Sequence, residues 1–220
     1  VPGADGLSDH TPKDPDGYWY GVGVSADVLV ATGTYDALQS APDYASLAGP
    51  EFKGKRCLRR GSDVRSVALV GTLVASLGER EAELIVRGWR QNLAQSSFES
   101  DTELLGAVEN GSCSIAVADS SELAAFLEPR PDSDLQLHFP NSEDGGTHLH
   151  PTAAAVNRHA NDPEGAARFL AWLMTADGQS ALHGAGHEFA INDALTPSAV
   201  LAEWLPFDPA TISADRAGFH

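Results

Sequence analysis

Lysine is nearly missing from this chain. Lys13, Lys53 and Lys55 stand against eleven arginines, and 14 basic residues face 31 acidic ones, for a formal net charge of −17. Such an excess repels phosphate backbones and anionic lipid, so no nucleic-acid partner is expected and anionic lipid is a poor one. An acidic, lysine-poor, alanine-rich composition suits a high-salt habitat or a GC-rich genome equally well. Cysteine is scarce too. Cys57 and Cys113 are the two in the chain, too few for a disulfide framework or a structural zinc site. They leave one bridge or two buried thiols, and a bridge would place the protein outside the cytoplasm. No apolar run approaches about 18 residues, which excludes a transmembrane helix and membrane insertion. The opening Val1-Pro2-Gly3-Ala4-Asp5 has no signal-peptide pattern, a segment that a mature secreted protein would have lost.

What is present is globular in character: 220 residues, 42% hydrophobic and 20% charged, enough for one large or two small domains. Residues 1–16 are rich in Pro, Gly and Asp and read as an extended lead-in. Residues 17–32 alternate and carry β-branched and aromatic side chains, which predicts strand. Residues 33–54 are loop-rich, with helical turns expected around Tyr35–Leu38 and Tyr44–Leu47. A short strand is expected at 55–60. Val64, Val67, Ala68, Val70, Gly71, Val74 and Leu77 then recur at helical spacing, with Ser62 or Asp63 as cap and Gly78 as stop. A second helix follows from Glu79 to about Leu93, on an Ala82, Ile85, Trp89, Leu93 stripe. A brief strand is expected near Ser96–Phe98. Ser100 and Glu103 form a capping-box pair for a helix that stops at Asn110-Gly111. Ser114–Ala118 reads as strand and Ser120–Leu127 as helix. This alternation predicts a mostly parallel α/β sheet. Farther on come strand at Leu135–Phe139, an extended stretch at Thr147–Val156 and a helix opened by Asp162-Pro163. The stripe of that helix is Ala166, Phe169, Leu170, Leu173 and Leu182. A last helix is expected from Thr196-Pro197 to Leu205.

Few residue patterns carry chemistry. Gly49-x4-Gly54-Lys55 imitates a phosphate loop, but Arg56 replaces the Ser or Thr that would bind Mg²⁺, and no helix follows. Gly-x-Ser-x-Gly and HExxH are absent, so neither a serine hydrolase nor a zinc protease is expected, and the chain reads as no enzyme. His148 and His150, spaced i, i+2, share a face on an extended strand and make a candidate metal pair that still needs a third ligand. His183 and His187 sit four apart, but Gly184 and Gly186 weaken any helix between them. Asn110-Gly111-Ser112 matches a glycosylation acceptor and serves equally as a helix stop. Cys57 and Cys113 open the first and third strands of the α/β repeat. In a 2-1-3 sheet these strands are parallel neighbours, which can bring the two Cα atoms within bridging range.

Several stretches together resemble the iron-binding solute receptors of bacterial ABC importers, the type II periplasmic binding proteins that carry ferric ion. They are Asp14–Trp19, Tyr44–Leu47, Glu51–Lys55, Ala107–Gly111 with Ser114–Ala118, Gly146-Thr147-His148, Pro163–Leu182 with Phe169-Leu170 and Gly178-Gln179, and Glu188-Phe189. The resemblance implies two α/β lobes joined by crossing strands. Residues 1–29 and 151–189 would be the remnant of the first lobe with the crossing strands, and 30–150 with 190–220 a complete second lobe. The family begins with further first-lobe sheet and helix that have no counterpart here. Where iron-binding members carry adjacent tyrosines after the strand matching Ser114–Ala118, this chain has Ser120 and Ser121, preceded by Asp119. A serine hydroxyl ionises far less readily than a phenol, so the usual ferric site is expected to be absent. Ser62 matches the place where the family holds a partner anion on a helix N-terminus. Arg59, Arg60 and Arg65 flank that place, and Asp63 and Asp101 oppose it.

The reading that follows is a periplasmic or extracellular solute-binding protein, taking a small anion through Ser62, Asp63, Arg60, Asp101, Ser120 and Ser121, or a metal ion through His148 and His150, and serving an ABC permease. The alternative is a protein-interaction or structural module, a homodimer or a complementing partner, because missing first-lobe sheet would leave apolar surface on the helix at 163–182. A third reading is a fragment of a longer receptor.

Overall fold

The computed structural model describes residues 13–33, 38, 41–140, 147–183, 187–191 and 201. The strands are β1 (Tyr20–Thr32), β2 (Arg56–Cys57), β3 (Ile115–Asp119), β4 (Leu135–His138) and β5 (Leu149–Ala154). The helices are α1 (Val64–Leu77), α2 (Glu79–Gln91), α3 (Asp101–Glu109), α4 (Ser120–Leu127), α5 (Pro163–Leu173) and α6 (Ala176–His183). Short 3-10 turns occupy Ala45–Ala48 and Pro50–Phe52. The expected turn at Tyr35–Leu38 and the last helix at 196–205 fall, but for Leu38 and Leu201, outside the described residues. The strand expected at Ser96–Phe98 reduces to a single bridge from Phe98 to Arg59.

The chain divides into two units, Val1–Ser25 with Leu149–Pro206, and Ala26–His148 with Phe207–His220. The α/β class holds, but the sheet is mixed rather than mostly parallel. Its order is β2-β3-β1-β4, with β5 also paired to β1. β2 runs parallel to β3, as the α/β repeat requires, whereas β1 runs antiparallel to both β3 and β4. The reason is topological: β1 precedes the repeat and enters between its strands, so no crossover helix fixes its direction. Its buried run, broken only at Val24 before Thr32, is the pattern of a strand covered on both faces.

In the unit Ala26–His148, α1 and α2 and the 3-10 turns close one core. Leu29, Tyr44, Leu47, Phe52, Leu69, Leu73, Ile85, Trp89 and Ile115 meet there. The expected α2 stripe holds at Ala82, Ile85 and Trp89. The expected α1 stripe holds in part: Val70 and Val74 pack against the core, but Leu69 and Leu73 are the buried residues, whereas Val64 and Val67 are exposed. α1 is apolar on most sides, so periodicity alone does not single out the face that packs. The indole N–H of Trp89 donates to the Tyr44 carbonyl at 2.9 Å, and the Asn92 amide donates to Leu47 O at 3.0 Å and Gly49 O at 2.7 Å. These bonds fasten the turns to the end of α2. Arg56, fully buried, lays its guanidinium over Trp89 at 4.3 Å, and burial draws its pKa well below the ordinary value. Cys57 and Cys113 form a disulfide with Cα atoms 5.8 Å apart.

In the other unit, Tyr20, Val22, Leu170, Met174 and Ile191 form a smaller core. Gln179, fully buried, donates to Val22 O and Leu173 O and accepts from Ile191 N, which welds α6 to β1. Phe169 and Trp172 stack at 5.7 Å on the outer face of α5, 59% and 43% exposed.

Candidate functional site

The residues singled out around the α1 N-terminus lie in the unit Ala26–His148. Asp63, not Ser62, is the N-cap of α1: its carboxylate accepts from Arg65 N at 3.1 Å, and Ser62 is exposed. Arg59 donates to Asp63 at 2.7 Å and to Asp101 at 3.3 Å. Arg65 approaches Asp101 at 3.5 Å and both Asp119 and Glu122 at 3.8 Å. Arg60 points away into an exposed pair with Glu99. Burial pushes the Asp63 carboxyl up, but Arg59 and the N–H groups of Arg65 and Ser66 outweigh it and hold the group below its ordinary value. Asp101 goes the other way. Burial raises it to about 6 against the pull of Arg59 and Arg65, with Glu122 and Asp119 adding to the rise.

Beside this network lies a cavity of about 470 Å³. Leu58, Leu69, Val86, Trp89, Leu93 and Val117 supply apolar wall, and Arg59, Arg65, Arg90, Asp63, Asp101, Asp119 and Asp27 supply the charged part of its lining. Its volume falls in the range of small-molecule pockets.

Ser120 and Ser121 follow directly on β3. Ser120 is buried, and its Oγ accepts from Ala26 N at 3.0 Å. The Ser121 hydroxyl donates to Asp119, which caps α4 by accepting from Ser121 N at 2.9 Å. Ser120 thus ties the start of α4 to β1, and Ser121 holds the β3–α4 junction.

His148 ends the unit Ala26–His148, and His150 stands two residues on, in β5. The ring Nδ1 of His148 is 2.9 Å from Thr72 Oγ1. Its backbone is laced to Asp27: Asp27 N donates to His148 O at 2.9 Å, the Tyr44 hydroxyl donates to Asp27 O at 2.7 Å, and His148 N donates to that same hydroxyl at 3.1 Å. Burial, with the Asp27 charge, keeps the Tyr44 phenol well above its ordinary pKa. Asp27 and His148 present ligand atoms within 4.8 Å of each other. Asp27 and Thr72 were not singled out in the sequence, and Tyr44 stood there only as the start of a turn. A signal for Asp27 existed: it is the one charged residue in β1. Nothing marked Thr72, because its role depends on a residue 76 positions away.

Residues 3–208 match the family of bacterial extracellular solute-binding proteins, and the chain belongs to that family. Among curated relatives it is 26% identical to iron uptake protein A1 of Synechocystis over 94% of its own length and 59% of the relative's. It is 28% identical to iron uptake protein A2 of the same organism, over 94% and 64%. The chain therefore spans about three fifths of the length of these relatives. Among solved structures, a Trichodesmium protein (IdiA, FutA) in complex with iron and citrate matches with a TM-score of 0.89 at 24% identity, over 97% of this chain and 71% of that one. A ferric binding protein from Campylobacter jejuni matches with a TM-score of 0.86 at 21% identity, over 97% and 71%. The fold is that of the ferric ion-binding receptors, an α/β fold of the type II periplasmic class. No helix among the described residues is long and apolar enough to cross a membrane.

Proposed function

We propose that this chain is a non-enzymatic, extracytoplasmic solute-binding protein of the iron-importer receptor group that does not hold ferric ion through a tyrosine pair. Its two units correspond to receptor lobes, and an ABC permease is the transport partner. The observation that carries this reading is the pair Ser120 and Ser121 at the β3–α4 junction, one accepting from Ala26 N and the other donating to the Asp119 cap. A ferric ion at neutral pH takes anionic oxygen, and neither hydroxyl offers it. The α1 N-terminus, in the same reading, is a capped helix end rather than an anion seat. Arg59 and Arg65 face four carboxylates, Asp63, Asp101, Asp119 and Glu122, which would repel a second anion. Ferric citrate titration of the full chain followed in the visible tests this. We expect no phenolate-to-iron charge-transfer band. A stoichiometric band would sink the reading.

A second reading, an interaction module, is favoured by the Phe169–Trp172 pair. Two stacked aromatic side chains facing solvent on a helix whose other face is packed are the composition of a contact surface. The solution mass by light scattering decides whether a second copy covers it.

A further inference from the structure

We propose that the cavity beside the Arg59 network binds a zwitterion with an apolar body, namely an apolar α-amino acid. The proposal rests on the solute-receptor reading and names the class of solute. Every residue lining the cavity belongs to the unit Ala26–His148, so one unit builds the whole site. Its volume of about 470 Å³ is that of a small-molecule pocket. Leu69 and Val70 of α1, Val86 and Trp89 of α2 and Val117 of β3 give it an apolar wall. A hydrocarbon or aromatic side chain leaves water on entering there, which supplies the drive to bind.

The charged lining has two parts of opposite sign. Asp27, Asp63, Asp101 and Asp119 line it together with Arg59 and Arg65, four carboxylates to two guanidiniums. Both arginines reach Asp101 at the same oxygen, Oδ2, at 3.3 Å and 3.5 Å. Oδ1 of this buried residue carries neither contact and is the acceptor for an ammonium group. Arg90 lines the same cavity from the last turn of α2, exposed and with no carboxylate partner among the described residues. A carboxylate is the two-pronged match for its guanidinium. Singly charged ligands fit less well. An amine would satisfy the acidic part and leave Arg90 beside an added cation. A carboxylate without an amine would bring a further negative charge toward four others. A zwitterion carries no net charge and offers each part of the lining its opposite.

The test is calorimetric titration of the full-length chain with L-phenylalanine and with L-leucine. We expect one equivalent of each to bind. Phenethylamine and hydrocinnamate, each short of one charge, should bind at least about tenfold more weakly, and so should glycine, which has no apolar side chain. Arg90→Ala and Asp101→Asn should each weaken phenylalanine binding by about tenfold or more, and Arg90→Ala should also erase the preference for phenylalanine over phenethylamine. Val86→Phe, which fills the cavity, should block binding. Arg168→Ala, an exposed arginine of the other unit, should leave it unchanged. Far-ultraviolet circular dichroism checks each variant, and if Asp101→Asn does not fold, Arg90→Ala and Val86→Phe carry the test. Failure to take up either amino acid would overturn the proposal. So would phenethylamine, hydrocinnamate or glycine binding as tightly as phenylalanine, or full affinity in Arg90→Ala or Val86→Phe. These outcomes bear on the solute alone, whereas the reading beneath it falls only to an iron charge-transfer band.

Discussion

Asp101 illustrates how one side chain turns burial into pH dependence. It sits at the first position of α3, 5% exposed, with Arg59 and Arg65 on one side and Asp119 and Glu122 nearby. Its carboxyl titrates at about 6 in the folded protein, against 3.8 when free. The folded state thus holds the proton more tightly than the unfolded one. The resulting stability is complete below the unfolded pKa and is lost as the pH rises through the folded one. Relative to an Asp101→Asn variant, the native chain should gain about 2 kcal/mol as the pH falls from about 7 to about 4. Denaturant midpoints of the two proteins across that range measure it, and parallel profiles would refute the assignment. The sequence singled out Asp101 as an acidic residue beside the expected anion seat at Ser62. It did not reveal the burial that raises the group, because burial depends on β3 and α4 arriving beside α3.

Elements were legible where one face was clearly apolar. α2 alternates charged and apolar residues at helical spacing, and its stripe at Ala82, Ile85 and Trp89 is the buried one. α1 offers valine, leucine and alanine on most sides, so the core's position, not its own pattern, selected Leu69 and Leu73. Glycines within these two helices show the same division. Gly71 on α1 has open space, with nothing within 4 Å of the point where an alanine methyl would stand, so Gly71→Ala should stabilise by up to about 1 kcal/mol through helix propensity. Gly88 on α2 approaches the 3-10 turn so closely that an added methyl would stand 2.6 Å from Ala48 Cβ and 3.0 Å from its Cα. There the clash outweighs propensity, and Gly88→Ala should destabilise by about 1–3 kcal/mol. Thermal unfolding of both variants checks the opposite signs; a gain at Gly88 would show that the turn yields.

For the molecule as a whole, the disulfide is the largest single constraint that the sequence foreshadowed. Cys57 and Cys113 are 56 residues apart, and closing a loop of that length removes unfolded-state entropy worth about 4 kcal/mol. Replacing both by alanine should lower unfolding free energy by about that amount in urea, whereas a loss below about 1 kcal/mol would mean that the reduced chain retains the loop by other means. Amino-acid order by itself determined the α/β class, the limits of most helices, most of their caps and the neighbouring placement of β2 and β3. Each of these rests on interactions within a few residues or on the α/β repeat. Only tertiary structure decided the antiparallel entry of β1, the packed face of α1, and the meeting of Asp27 with His148. Those depend on contacts between residues distant in sequence, 104 positions apart for Tyr44 and His148, for which local periodicity carries no information.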